Sequence, residues 1–264
     1  MNKKISSSSL RKALLLLFVG ALIAIEIVFY SLNLSGSLIN NIYNSAVRFV
    51  GGAVCIIFMF EFSYNSVLGI AGNKSVIALL AILPAFAVAV NNFPFVSYFS
   101  GDCNINATVA DILVYAMFCL SVGFFEEMAF RGCVLMFFMK KRNKTKSGIF
   151  MAIFISSSVF GLIHLINLFT SSPGAVLLQI GYSALIGALC SLVLLVTKNV
   201  WICVILHGVY NFAGGIVPSF GSGVIWTKPE IILTAVLAIA VTVYSVFLFI
   251  KLPMSNAEDI YKKD

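Results

Sequence analysis

The sequence predicts an all-α, polytopic membrane protein with eight transmembrane helices and both termini cytoplasmic, forming a single helical membrane domain over residues 1–264. Three observations predict it. Of the 264 residues, 61% are hydrophobic and 10% charged, where a soluble globular domain carries about 25% charged residues. The apolar residues gather into runs long or nearly long enough to cross ~30 Å of hydrocarbon. Threaded through a bilayer in order, those runs place most of the basic residues on one side. So few charges cannot clothe a soluble enzyme of this length, and lipid must replace water over most of the surface. The net charge of +7 does not indicate nucleic acid, because no basic stretch is interleaved with stackable polar side chains.

The first run, about 13–32, follows Lys3, Lys4, Arg11 and Lys12 and so imitates a signal peptide, but it is long enough to span and is read as a retained helix. Further spans are expected at about 46–64, 75–90, 110–139, 148–169, 174–197, 200–217 and 230–250. The run at 75–90 is short and contains Pro84, and charge decides in its favour. With eight spans, the N-terminal basic residues, Lys74, the Lys140–Lys146 cluster, Lys198, Lys251, Lys262 and Lys263 are cytoplasmic, and only Arg48 and Lys228 are outside. Omitting the run would carry the Lys140–Lys146 cluster across the membrane. The longest connection, about 91–109, lies outside. The six cysteines are scattered, five of them inside apolar runs, and form neither a disulfide framework nor a Cys-x-x-Cys metal site.

Ionisable side chains inside a span cost about 2.5–3.5 kcal/mol each on insertion scales, so each needs a reason. Glu126 and Glu127 lie deep in the fourth span with Arg131 one turn on, His164 is in the fifth, and His207 with Asn211 in the seventh. The chain has two histidines, and both belong to this set. Glu127 and Arg131 are four apart and pair on one face, while Glu126 is turned about 100° away. Glu127 is therefore expected to stay ionised beside the guanidinium, leaving Glu126 for proton transfer. Phe160 shares a face with His164, as His207 does with Asn211. Taken singly, these residues read as satisfied core histidines and a register-fixing ion pair; spread over three spans, they read as one site. Glu26, Glu61 and Asp111 are solitary and read as structural, facing the bundle interior or an interface, and Asn167 is a neighbour of the site.

Depth adds an expectation. At ~1.5 Å per residue from the nearest cytoplasmic lysine, Glu126 lies ~21 Å, His164 ~27 Å and His207 ~14 Å deep. These depths coincide when the fourth and fifth helices extend beyond the bilayer or tilt, with the site opening toward the cytoplasm.

The ordered set Glu126-Glu127-x-x-x-Arg131, Phe160-x-x-x-His164 and His207-x-x-x-Asn211 on three membrane helices resembles the CPBP (CAAX protease and bacteriocin-processing, or Abi) family, which includes the type II CAAX prenyl endopeptidases. The resemblance covers a motif-bearing core of about 110–215 and implies an eight-helix intramembrane endopeptidase. It implies that Glu126 and His164 activate the hydrolytic water, that His207 and Asn211 stabilise the oxyanion, and that Glu127, Arg131 and Phe160 support them. Peptide hydrolysis needs the same parts: a base, a water and donors aimed at the developing oxyanion. Two readings of the cofactor stay open. Glu126, His164 and His207 would make a His2Glu zinc set, or a glutamate base acts without metal; Asn211 is a poor zinc ligand and a good oxyanion donor, which favours the metal-free form. The partners expected are the lipid bilayer and a membrane-associated peptide, either prenylated CAAX-type or bacteriocin-like. A non-proteolytic immunity or scaffold protein is the alternative. A transporter is disfavoured by the lack of internal repeats and of paired broken helices.

Overall fold

The computed structural model describes residues 37–69, 76–141 and 145–252, together with Leu17, Gly20 and Ala21. The span expected at 13–32 and Glu26 otherwise lie outside these residues. Helix α1, Ser37–Glu61, starts nine residues before the expected 46. Its first turns are polar, but Asn44 Nδ2 donates to Asn40 Oδ1 (2.8 Å) and Ser45 Oγ to the Asn41 carbonyl (2.6 Å), so the asparagines satisfy one another along the helix rather than ending it. Helix α2 is the short apolar segment Val76–Asn91 with Pro84 inside.

The connection expected as a long loop is organised. It contains α3, Phe95–Phe99, and β1, Cys103–Ile105, which pairs antiparallel with β2, Gly221–Gly223, bringing Cys103 opposite Gly223 and Ile105 opposite Gly221. A strand of three residues shows no alternation to read. Gly223 sits at φ +107°, and a Cβ there would lie 2.2 Å from the Asp102 carbonyl oxygen, so only glycine fits this crossing.

Helix α4, Val109–Glu127, opens on a capping box in which Thr108 and Asp111 bond each other's backbone amides. It runs through a π-helical segment, Met128–Leu135, into α5, Met136–Lys141. Together they make a continuous helical stretch of 33 residues, about 50 Å at ~1.5 Å per residue, longer than a perpendicular span needs. Helix α6, Lys146–Ile163, is capped by Thr145 and tightens into a 3-10 turn at His164–Phe169, where the sequence predicts uninterrupted helix. Helix α7, Pro173–Thr197, α8, Val200–Phe220, and α9, Lys228–Lys251, complete the described residues. Among the described residues six helices are long and apolar enough to cross a membrane, and Ala78–Asn91 is a shorter apolar helix. This is an all-α polytopic membrane fold with one small two-stranded clasp.

Glycines decide how closely the helices cross. A Cβ on Gly123 of α4 would meet the Val204 carbonyl oxygen at 2.7 Å and the Gly208 nitrogen at 2.9 Å on α8, and one on Gly161 of α6 would meet the Ile180 carbonyl oxygen of α7 at 2.7 Å. Backbone meets backbone at both crossings, the approach that small residues permit in membranes. The core between them is filled by wholly buried Met128, Leu135, Met136, Leu194 and Leu195. Of the solitary acids, Asp111 has the structural role expected of it, in the capping box, and Glu61 is exposed at the end of α1; neither faces the bundle interior, the first of the two placements expected. Both lie at helix ends, where a carboxylate reaches solvent or an amide without being buried.

Candidate active site

Glu126 and Glu127 end α4 at the point where the helix widens into its π-helical segment. All eight residues from Met128 to Leu135 are buried, because α1, α6, α7 and α8 enclose them. Rare π turns concentrate at functional sites, and nothing in an apolar run marks one in advance. Within this segment Arg131, 1% exposed, sends NH1 to within 3.0 Å of Glu127 Oε1. This is the ion pair read from the four-residue spacing. The guanidinium also stacks over the Phe160 ring at 4.6 Å. Gly187 of α7 leaves room for it: a Cβ there would lie 3.0 Å from Arg131 NH2 and 3.2 Å from Phe160 Cδ1.

Phe160 joins the three motif helices. Its ring meets both histidines nearly edge-on, with centroids 5.4 Å from His164 and 5.9 Å from His207. His164 Nδ1 lies 3.0 Å from the Phe160 carbonyl oxygen, which makes Nδ1–H the donor; in a neutral ring Nε2 is then the acceptor. His207, 5% exposed, is gripped by both carboxylates: Nδ1 is 2.8 Å from Glu127 Oε1, and Nε2 is 3.4 Å from Glu126 Oε2. Glu126 is partly open, and its side chain lines a cavity of about 50 Å³ with His164, Phe125, Phe130 and Asn167. Asn211 is half-buried one helical turn beyond His207.

The structure thus brings together Glu126, Glu127, Arg131, Phe160, His164 and His207. It differs from the sequence reading in one connection: Glu126 is not apart from the ion pair but is linked to it through His207. Two contributors were not read from the sequence. Gln179 of α7 accepts from Asn167 Nδ2 at 2.8 Å and so holds an amide that lines the cavity. As the one amide in an otherwise apolar span, it carried a usable signal. Gly187 carried none, since its role exists only once α7 faces Arg131.

The zinc reading can be tested on the donors. Each histidine has Nδ1 engaged by an oxygen, as metal-bound imidazoles usually do. The ligand atoms of Glu126, His164 and His207, however, do not all lie within 4.8 Å of one another. Among the described residues the trio that does is Glu127, Cys190 and Cys203; Glu127 Oε1 is shared by Arg131 and His207, while its Oε2 is buried without a hydrogen-bond partner. The residues as placed do not form a closed His2Glu set.

Residues 108–213 match the family model described as type II CAAX prenyl endopeptidase, Rce1-like. Over this segment the chain is similar to that family. The match begins at the cap of α4 and ends two residues after Asn211, so it contains every motif residue named above. Neither a curated protein nor a solved structure matches the chain.

Proposed function

We propose that the protein is an intramembrane endopeptidase that hydrolyses a peptide bond of a membrane-associated substrate, prenylated CAAX-type or bacteriocin-like, with Glu126 as its base. The reading rests above all on His207 lying between two carboxylates, Glu127 Oε1 at 2.8 Å and Glu126 Oε2 at 3.4 Å. A neutral imidazole donating Nδ1–H to Glu127 would turn a lone pair toward Glu126. A proton shared between Nε2 and Glu126 removes that repulsion. Glu126, Glu127, protonated His207 and Arg131 then sum to zero charge, which a lipid-enclosed cluster requires.

In the proposed reaction a water in the cavity between Glu126 and His164 loses a proton to Glu126 as its oxygen attacks the scissile carbonyl. His164 accepts from that water through Nε2 and orients it. The tetrahedral oxyanion takes hydrogen bonds from His207 Nε2–H and the Asn211 amide. Glu126 then returns its proton to the leaving nitrogen as the C–N bond breaks. Glu127 and Arg131 hold the His207 ring, and Phe160 spaces the two imidazoles. No step passes through a metal. The proposal includes eight spans, cytoplasmic termini, a cell-membrane location and a site opening toward the cytoplasm.

The test is peptide cleavage by the full chain reconstituted in liposomes. Glu126→Gln keeps shape and hydrogen bonding but removes the base, and kcat is expected to fall by about 10²–10⁴-fold with unchanged thermal stability. Cleavage at the wild-type rate by the folded variant overturns the reading, as does a full phenotype from that variant in cells, the result a scaffold or immunity protein gives.

A further inference from the structure

We infer that the protein holds one acyl chain of an anionic phospholipid in a crevice beneath α9, with the phosphate at Lys146 and Lys251. The site is separate from the proposed active site. A cavity of about 280 Å³ opens between α9 and the helices α2, α6, α7 and α8, walled by Phe150, Leu189, Tyr210, Leu237, Val241 and Phe249 among others. Along α9 it runs from Thr234 to Phe249, about 22 Å at ~1.5 Å per residue. Its length and mostly apolar walls suit a hydrocarbon chain; Asn91, Asn92 and Thr234 stand at one end, and Thr242 and Ser245 lie further along α9.

Charge identifies the headgroup. At the opposite end Lys146 begins α6 one turn before Phe150, and Lys251 ends α9 two residues after Phe249. Lys146 Nζ donates to the Ile250 carbonyl oxygen, so the two helix ends meet at this mouth, and both lysines are exposed. One N–H of Lys146 is used in that bond, and Lys251 Nζ rests over the exposed Phe247 ring at 5.9 Å; in the proposal the remaining donors of Lys146, and Lys251 once it swings off that ring, bind a phosphate above a chain in the crevice. Basic residues at a membrane interface favour anionic lipid in this way.

The chain is not part of a substrate at the active site. On α7, Ile186 and Leu189 line the crevice, whereas Gly187 faces Arg131 and Phe160 on the far side of the same helix. The helix therefore separates the crevice from the cavity at Glu126 and His164.

Native mass spectrometry of the full chain in detergent, with equal phosphatidylglycerol and phosphatidylcholine of identical acyl chains, tests this. Retention of phosphatidylglycerol is expected to exceed that of phosphatidylcholine by at least about fivefold. Lys146→Gln with Lys251→Gln should abolish the preference, Lys251→Arg should keep it, and Ala238→Trp, which fills the crevice wall, should cut retention of both lipids. Equal retention by the wild type overturns the proposal, as does a preference that survives the double glutamine variant. Wild-type retention by Ala238→Trp, a protein dimer in place of bound lipid, or displacement by geranylgeraniol but not by phosphatidylglycerol would also overturn it.

Discussion

Around Glu126 and His207, helices approach through glycines and interlock through buried charges, whereas α9 lies beside α2 and α7 across an apolar crevice and turns most of its surface outward. Helix α9 is pinned mainly at points. Glu230 accepts from the amides of Val96 and Ser97 at one end, Tyr244 donates to the Leu80 carbonyl at 3.0 Å along its length, and Lys146 reaches the Ile250 carbonyl at the other end. Lipid tails are as apolar as leucine, so apolar contact alone does little to fix one membrane helix against another. Fine geometry has to come from close backbone approach and from polar groups. The first region has both over several turns, and α9 has isolated pins.

The largest effect expected on folding tests this contrast at Glu127. Glu127→Gln leaves Arg131 buried without its counter-charge, and breaking such a pair typically costs about 3–5 kcal/mol. Thermal unfolding in detergent should show a large loss, and cleavage by the residual folded protein should also fall, because His207 Nδ1 loses its acceptor. A variant as stable as wild type would mean that the ion pair does not hold the helices.

Glycine packing comes next. Gly123→Ala drives a methyl into the Val204 carbonyl and the Gly208 nitrogen, both backbone atoms that cannot rotate aside. A destabilisation of about 1–3 kcal/mol is expected from overpacking. Since α8 carries His207 and Asn211, kcat should fall more than KM rises. An unchanged kcat in a destabilised protein would separate helix spacing from the chemistry.

The contrast also explains what was legible. Six of the expected spans were readable because hydrophobic length is a composition property, and Glu127–Arg131 because spacing alone places i and i+4 on one face. His207 between both glutamates was not readable: it depends on how α8 is rotated against α4, which Gly123 and Gly208 set by contact across some eighty residues of sequence. The π-helical turn after Glu127 and the 3-10 turn at His164 were hidden for a related reason, since enclosure by neighbouring helices selects them. The early start of α1 is hidden because its first turns are polar; Asn44 bonds Asn40 and Ser45 bonds the Asn41 carbonyl along the helix.

The smallest effect sharpens the comparison from the side of α9. Glu230 is 1% exposed, and its Oε2 accepts from Val96 N at 2.8 Å and Ser97 N at 3.3 Å. Glu230→Gln keeps an acceptor oxygen but removes the charge that strengthens both bonds, a loss expected to stay below about 2 kcal/mol. The clasp it braces, α3 with β1 and β2, touches no motif residue directly, so cleavage should remain within twofold of wild type, roughly the size of a 0.4 kcal/mol change. A larger fall in kcat would show that the position of α9 is transmitted to His207 through α8. The two regions would then act as one mechanical unit despite their different packing.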